Sequence, residues 1–210
     1  MSLEEKLMKR LEGGMFRILN DKMYHGKGLK KRDLKLYHEL YDQQVKRWPV
    51  NPLDVIIEKI KKKGNGMAIA DIGCGDARIS REFENVMSLD LNPSRKDIIR
   101  CDMRQRIPLD DKSVDIAVCC LSMMAENISV PMKEVNRILR ESGYWYIAEV
   151  KSRIPNIKHL EKKFESFGFE VEHTDMSNAQ FILFVLKKNL DKNPKKLPPV
   201  RLIPWVYKKR

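Results

Sequence analysis

The apolar positions divide the chain into two regimes. Over residues 2–24, Leu3, Leu7, Leu11, Phe16, Leu19 and Met23 recur at near-helical spacing. Gly13-Gly14 interrupts that stripe, which predicts two short helices in place of one. Residues 24–29 read as a loop. Asp33 reads as the cap of a helix over 34–47, with Leu36, Leu40 and Val45 on its apolar side. The Trp48–Pro52 stretch is a break, because its prolines are tolerated at a helix start but not inside one. A helix over 53–63 follows, apolar at Val55, Ile56, Ile57 and Ile60 and stopped by Lys61-Lys-Lys-Gly64. From residue 67 the pattern changes to short apolar runs separated by amphipathic ones. Strands are predicted at 67–72, 86–91, 98–101, 114–121, 144–150, 169–175 and 180–187, and helices at 76–84, 129–140 and 156–167. The last two strands have no helix between them and read as an antiparallel hairpin around Asn178. Such alternation predicts a mostly parallel sheet covered on both faces, with ligands at the carboxyl ends of its strands.

Charge adds a second division. The chain has 210 residues and a formal net charge of +12. Residues 1–50 carry 12 Lys/Arg against 7 Asp/Glu, residues 51–186 carry 20 against 21, and residues 187–210 carry 9 against 1. A near-neutral middle between basic flanks is the footprint of a polyanion binder, and nucleic acid is the reading that fits both ends at once. The organisation expected is a helical cap (1–52), a ligand-binding domain (53–188) and a basic tail (189–210). The four cysteines, Cys74, Cys101, Cys119 and Cys120, form no C-x-x-C pair, which argues against a disulfide framework and a metal site. No apolar run approaches a membrane span, and the N-terminus is too charged for a signal peptide, so a soluble intracellular protein is expected.

The first strand runs into Asp71-x-Gly73-x-Gly75-x-Ala77. Glycines there permit backbone conformations closed to other residues and let a ligand approach the main chain, and a helix beyond the turn would offer free N–H groups. A nicotinamide fingerprint needs a third glycine where this chain has Arg78, and the Walker lysine motif is absent. What remains resembles motif I of the S-adenosylmethionine-dependent methyltransferases. Asp90 ends the second strand, where a carboxylate can accept both hydroxyls of a ribose. Asp102 ends the third, placed to meet an adenine amino group. Three acids at three successive strand ends favour a nucleoside ligand. The fourth strand ends Cys119-Cys-Leu-Ser-Met-Met124, without the Asn/Asp-Pro-Pro-aromatic motif of amino methyltransferases or the Pro-Cys of cysteine-nucleophile enzymes. Cys120 therefore reads either as lining the ligand pocket or as a small buried hydrophobe.

Several blocks together are more specific: Phe16-Arg-Ile-Leu-Asn-Asp-Lys-Met-Tyr24, Tyr37-His38, Gln44-Val-Lys-Arg-Trp-Pro49, Ala70-Asp-Ile-Gly-Cys-Gly-Asp76, Cys101-Asp-Met103, Pro108-Leu109, Cys120-Leu-Ser-Met-Met124, Asn136-Arg-Ile-Leu139, Ala148-Glu-Val150-x-Ser-Arg153 and Tyr207-Lys-Lys-Arg210. From about residue 10 to the end, the chain resembles the ribosomal RNA-processing protein 8 family. Two departures stand out. The long basic N-terminal extension of larger members is missing, and Glu141-Ser-Gly-Tyr144 replaces the family's Lys-Pro-Gly-Gly turn.

The resemblance implies an α/β, Rossmann-like class I methyltransferase fold, a seven-stranded mostly parallel sheet with an N-terminal helical cap. It implies transfer from S-adenosylmethionine, leaving S-adenosylhomocysteine, to N1 of an adenosine in large-subunit ribosomal RNA. It further implies a nucleolar (nuclear) location, ribosomal RNA or a pre-ribosome as partner, no membrane, no metal and a monomer. Cofactor contacts carry over to His38, Gly73, Asp90, Asp102, Met103 and Cys120, beside Asp71 and Gly75 of the turn. Arg17, Lys30, Lys31, Arg32, Lys208, Lys209 and Arg210 would hold RNA phosphates. Adenine N1 already carries an in-plane lone pair, so no indispensable general base is expected. Glu149 is the one weak catalytic candidate, with a structural ion pair as its equal alternative. Phe16, Tyr24 and Trp48 could stack on a flipped base, with core packing the more ordinary role for each. Two competing readings are a small-molecule class I methyltransferase and a non-catalytic cofactor-binding adaptor in RNA processing or chromatin silencing.

Overall fold

Contacts divide the chain into two units, Met1–Asn51 with Pro204–Arg210, and Pro52–Ile203. The computed structural model describes residues 3–24, 30–46, 48–192 and 197–204. In the smaller unit α1 (Leu3–Tyr24) is one continuous helix of 22 residues. The predicted break at Gly13-Gly14 does not occur. Glycine inside a helix costs about 1 kcal/mol relative to alanine, and packing of the same face outweighs it. That face includes Phe16, fully buried and stacked on Tyr37 at a centroid separation of 5.5 Å. Phe16 is thus a core residue and not a stacking platform. α2 (Lys31–Val45) starts three residues earlier than expected. Asp33 sits in its first turn, and its carboxylate accepts the Lys30 N–H at 3.1 Å, the reach-back half of a capping box.

The larger unit begins with α3 (Pro52–Lys61), its proline at the first helical position. The sheet comprises β1 (Ile69–Ile72), β2 (Val86–Asp90), β3 (Ile99–Arg100), β4 (Val114–Cys120), β5 (Leu139–Val150), β6 (Phe169–Asp175) and β7 (Phe181–Lys188). Its order is β3-β2-β1-β4-β5-β7-β6. All pairings are parallel except those of β7, which runs antiparallel to both β5 and β6. The predicted hairpin is therefore present. The chain winds outward from β1 to β3 and returns to β4 beside β1, so the switch point lies at the carboxyl ends of β1 and β4. Ala70, Ile72, Leu89, Ala117, Cys119, Trp145, Ile147 and Phe184 pack on one face against α4 (Ser129–Ile138) and α5 (Ile157–Ser166).

The helix expected over 76–84 is absent. Gly75 and Ala77 both take left-handed backbone, with φ 55° and 52°, and only a short 3₁₀ turn, Ile79–Arg81, follows. Two left-handed residues close the turn so late that too little chain remains before β2 for a helix. The anion-attracting helix N-terminus expected there is accordingly missing. β5 also starts earlier than predicted, directly from α4, through an irregular stretch containing left-handed Ser142.

The Asn136-Arg-Ile-Leu139 block locks this architecture. Asn136 donates to Phe167 O and Leu190 O at 2.9 Å each and accepts the Lys192 N–H at 3.1 Å. Arg137 bonds Glu134, Ile107 O, Leu109 O and Asp111, tying the Pro108-Leu109 loop to α4. Lys188 is buried and donates to Asn136 O and Leu139 O at 2.8 Å each, a cation on the last carbonyls of α4. Asn136→Ala would strand two carbonyls and one N–H, and a loss of about 2 kcal/mol is expected in urea unfolding. Part of the stretch assigned by charge to a tail belongs to this unit. Ile128 N–H donates to Val200 O and Leu202 N–H to Glu126 O, with Val200 and Leu202 buried.

Candidate functional site

Asp71 of β1 is in register with Ser88 of β2 and Val118 of β4. Residues two apart on a strand share a face, so Asp71, Asp90 and Cys120 emerge on the same side at the carboxyl end of the sheet. Beyond β1 the chain turns at Gly73, whose φ of +76° suits glycine, and a Cβ there would overlap the Ser122 side chain. Ser122 Oγ donates to Ile72 O at 2.6 Å, and Met103 Cε lies 3.4 Å from that same Cβ position. Asp90 holds the far side of the turn. Its Oδ2 accepts the Gly75 N–H at 2.9 Å and its Oδ1 the Asn92 N–H at 2.8 Å. Asp71, Gly73, Gly75, Asp90, Met103 and Cys120 are thereby brought together.

Among the described residues, neither Asp71 nor Asp90 is paired with a cation and no donor reaches the Asp71 carboxylate. Burial, and then the neighbouring Asp90 charge, push Asp71 up from 3.8 to about 7. A carboxyl held above its unfolded value keeps its proton in the folded chain after the unfolded chain has released it. Its contribution to stability is therefore present below pH 3.8 and lost as pH rises through about 7. Asp71→Asn should flatten that decline: the variant's advantage in melting temperature should be larger at pH 8 than at pH 5, read by paired thermal scans. A pair of uncompensated carboxylates repels phosphate and favours a cationic ligand that also carries hydroxyl or amino donors.

Asp102 follows β3 and is engaged locally. Its Oδ1 accepts the Arg104 backbone N–H and Nε, and its Oδ2 accepts Nη2 at 2.8 Å, a contact that holds the carboxyl below its usual range. Burial and the Asp71 charge push the Cys120 thiol well above its ordinary value, and Cys74 is raised for the same first reason. Both are neutral thiols rather than nucleophiles. Arg78, at the position that excludes a dinucleotide, pairs with Asp54 of α3. Glu149 is buried in an ion pair with Arg153 at 2.5 Å, the structural alternative that the sequence left open. Ser122, Arg104 and Arg153 are the residues that sequence reasoning missed as site-shaping. Arg104 had a local signal in its spacing of two from Asp102, and Arg153 in its spacing of four from Glu149.

In the smaller unit His38 is half-buried, edge-on to Tyr37. Arg17 is half-buried, and Lys30 and Arg32 are exposed. The Lys31 side chain and Lys208, Lys209 and Arg210 lie outside the described residues. No helix among the described residues is long and apolar enough to cross a membrane, and no group of metal-ligating side chains occurs among them.

A family model described as "Hypothetical methyltransferase" matches residues 2–210. An Arabidopsis thaliana protein named "Ribosomal RNA-processing protein 8" is 40% identical over 223 residues, covering 98% of this chain and 77% of its own length. A Mus musculus protein of the same name is 35% identical over 224 residues, covering 100% of this chain and 48% of its own. The chain thus spans about half the length of that relative. A Schizosaccharomyces pombe protein named "25S rRNA (adenine(645)-N(1))-methyltransferase" is 34% identical over 233 residues, covering 100% of this chain and 73% of its own. Among solved structures, a Burkholderia thailandensis 1,6-didemethyltoxoflavin-N1-methyltransferase with bound S-adenosylhomocysteine superposes with a TM-score of 0.58 at 15% identity. It covers 76% of this chain and 87% of that one, a likeness of fold.

Proposed function

The chain belongs to the family described by the hypothetical-methyltransferase model and to that of its relatives named ribosomal RNA-processing protein 8, and from that premise we propose that it methylates N1 of an adenosine in large-subunit ribosomal RNA. The observation that carries the reading is the pair of carboxylates, Asp71 and Asp90, unpaired with any cation among the described residues, beside the Gly73-x-Gly75 turn. S-adenosylmethionine fits that donor set: it is a nucleoside with a sulfonium and an ammonium, and it supplies an electrophilic methyl group when bound. Asp90 takes the ribose hydroxyls on lone pairs left free by Gly75 and Asn92. Asp71 faces the cationic portion, Asp102 the adenine, and Met103 and Cys120 line the pocket.

The acceptor N1 is hidden by Watson–Crick pairing, so the base must be unpaired or flipped out. Its in-plane lone pair needs no deprotonation, and the task of the protein is alignment with water excluded. The methylated base is cationic, and an anionic crevice tolerates it. Arg17, Lys30, Lys31, Arg32, Lys208, Lys209 and Arg210 hold phosphates. The protein works as a monomer on ribosomal RNA or a pre-ribosome in the nucleolus.

The test is labelled S-adenosylmethionine with unmodified large-subunit RNA, followed by mapping of the modified base. Label at adenine N1 is expected, and label retained on a small molecule or absent from RNA would overturn the acceptor assignment. RNA affinity should also fall at least tenfold between 50 and 200 mM salt, an order-of-magnitude figure for several phosphate contacts. Salt-insensitive affinity would remove the basic residues from the reading.

A further inference from the structure

In the proposed site the nucleoside lies over β2 and the sulfonium over β1, so an acceptor would meet the methyl group on the β4 side of the switch point, and one buried residue organises the loop there. Residues 121–126 follow β4 and form the wall beside the glycine turn: Ser122 packs against Gly73, and Leu121, Ser122 and Met124 are half-exposed there. Leu121 is left-handed, with φ 55°, and its N–H donates to Ala148 O at 2.8 Å. The wall has no helix or strand of its own. Its ends are tied by the Leu121 N–H and by the Leu202 N–H on Glu126 O, and its middle is held by Arg153, buried to 1% exposure in the short turn after β5. Its Nη1 donates to Met123 O at 2.9 Å and its Nη2 to Ala125 O at 3.1 Å. Its Nε donates to Ile203 O at 3.0 Å, while Ile203 N–H donates back to Arg153 O at 2.9 Å. Glu149 pins the guanidinium from below.

The Ile203 end is itself fastened along the wall. Ser129 Oγ donates to Pro198 O at 2.6 Å, and Val200 N–H donates to Ser129 Oγ at 3.0 Å and to Asn127 Oδ1 at 3.2 Å. One planar fork therefore joins the wall, the end of β5 and the segment 198–203. Lysine could satisfy the Glu149 charge but has no rigid fork to hold three carbonyls in fixed directions.

We propose that Arg153 is a positioning residue for methyl transfer: it fixes the wall 121–126, and with it the place of the acceptor base, without touching either substrate. This rests on the acceptor reading above. An ångström of drift in the acceptor costs rate, while the donor's polar anchors, Asp71 on β1 and Asp90 on β2, stay in place.

The experiment compares wild type, Arg153→Lys and Ser129→Ala, full length, with transfer to large-subunit RNA normalised to S-adenosylhomocysteine sites counted by calorimetry. A merely destabilised protein loses sites and keeps its rate per site. Arg153→Lys should lower kcat per site roughly 30–100-fold, the scale of a misplacement of about 1 Å. Its S-adenosylhomocysteine Kd should change less than about twofold, because no ligand group is removed. Ser129→Ala loosens the same seam without disturbing the ion pair, and should lower kcat per site about three- to tenfold. Amide exchange with S-adenosylhomocysteine bound should quicken at 121–128 and 198–203 in both variants but not in β1. If the wild type binds the cofactor product yet modifies no RNA, the acceptor reading fails while exchange still reads the wall. Unchanged exchange at 121–128, or wild-type kcat per site in folded Ser129→Ala, would overturn the inference.

Discussion

Asp90→Ala should weaken S-adenosylmethionine and S-adenosylhomocysteine binding at least 100-fold by calorimetry. The size follows from two losses at one carboxylate. Hydrogen bonds to a charged group contribute about 1.5–3 kcal/mol each, and two ribose hydroxyls depend on Asp90 in the proposed site. The side chain also pre-shapes the turn, since Gly75 N–H and Asn92 N–H rest on its two oxygens. Without it, those N–H groups are free to turn away and the glycine turn must be ordered by the ligand itself. Asp90→Asn should behave almost as badly, because an amide must point its NH₂ at one of two N–H donors. Full cofactor affinity in Asp90→Ala would sink the assignment of this turn as the donor site.

Asp90 was legible because strand ends are local facts: an apolar run that stops at an acid places that acid at the edge of a parallel sheet. The hairpin of β6 and β7 was legible for a similar reason, since too few residues around Asn178 separate the two runs to hold a helix. The misreadings at 76–84 and at Gly13-Gly14 have a common cause. Composition reports the local preference, whereas tertiary packing kept α1 whole, and two left-handed residues, Gly75 and Ala77, used up the chain that a helix after β1 required. Ala77 carried no signal at all, because alanine is an unusual residue for that backbone. Ser122 was visible as part of a block but not as the reason for Gly73, since the two are 49 positions apart and meet only through the pairing of β1 with β4.

Glu149 shows the limit most clearly. As a carboxylate at the end of β5 it could have been a base or half of an ion pair, and only the burial of Arg153 against it separates the two. Arg153→Met should lower stability by about 3–5 kcal/mol, the cost of removing one member of a buried pair. That is a large share of a typical total of about 5–15 kcal/mol. The loss comes from the Glu149 carboxylate stranded at 2% exposure, and from three carbonyls that lose the guanidinium: Ala125 O and Ile203 O, and Met123 O, which keeps only the Ala125 N–H at 2.9 Å. The pairing makes a further demand on the numbers. Adding Glu149→Gln to Arg153→Met removes the stranded charge, so the double variant should recover at least about 1 kcal/mol, a coupling of the size expected for residues in one network. Denaturant unfolding of the two single variants and the double variant, with their slopes compared to ensure a common transition, measures that coupling. Strict additivity would mean that Glu149 does not depend on Arg153 for its charge.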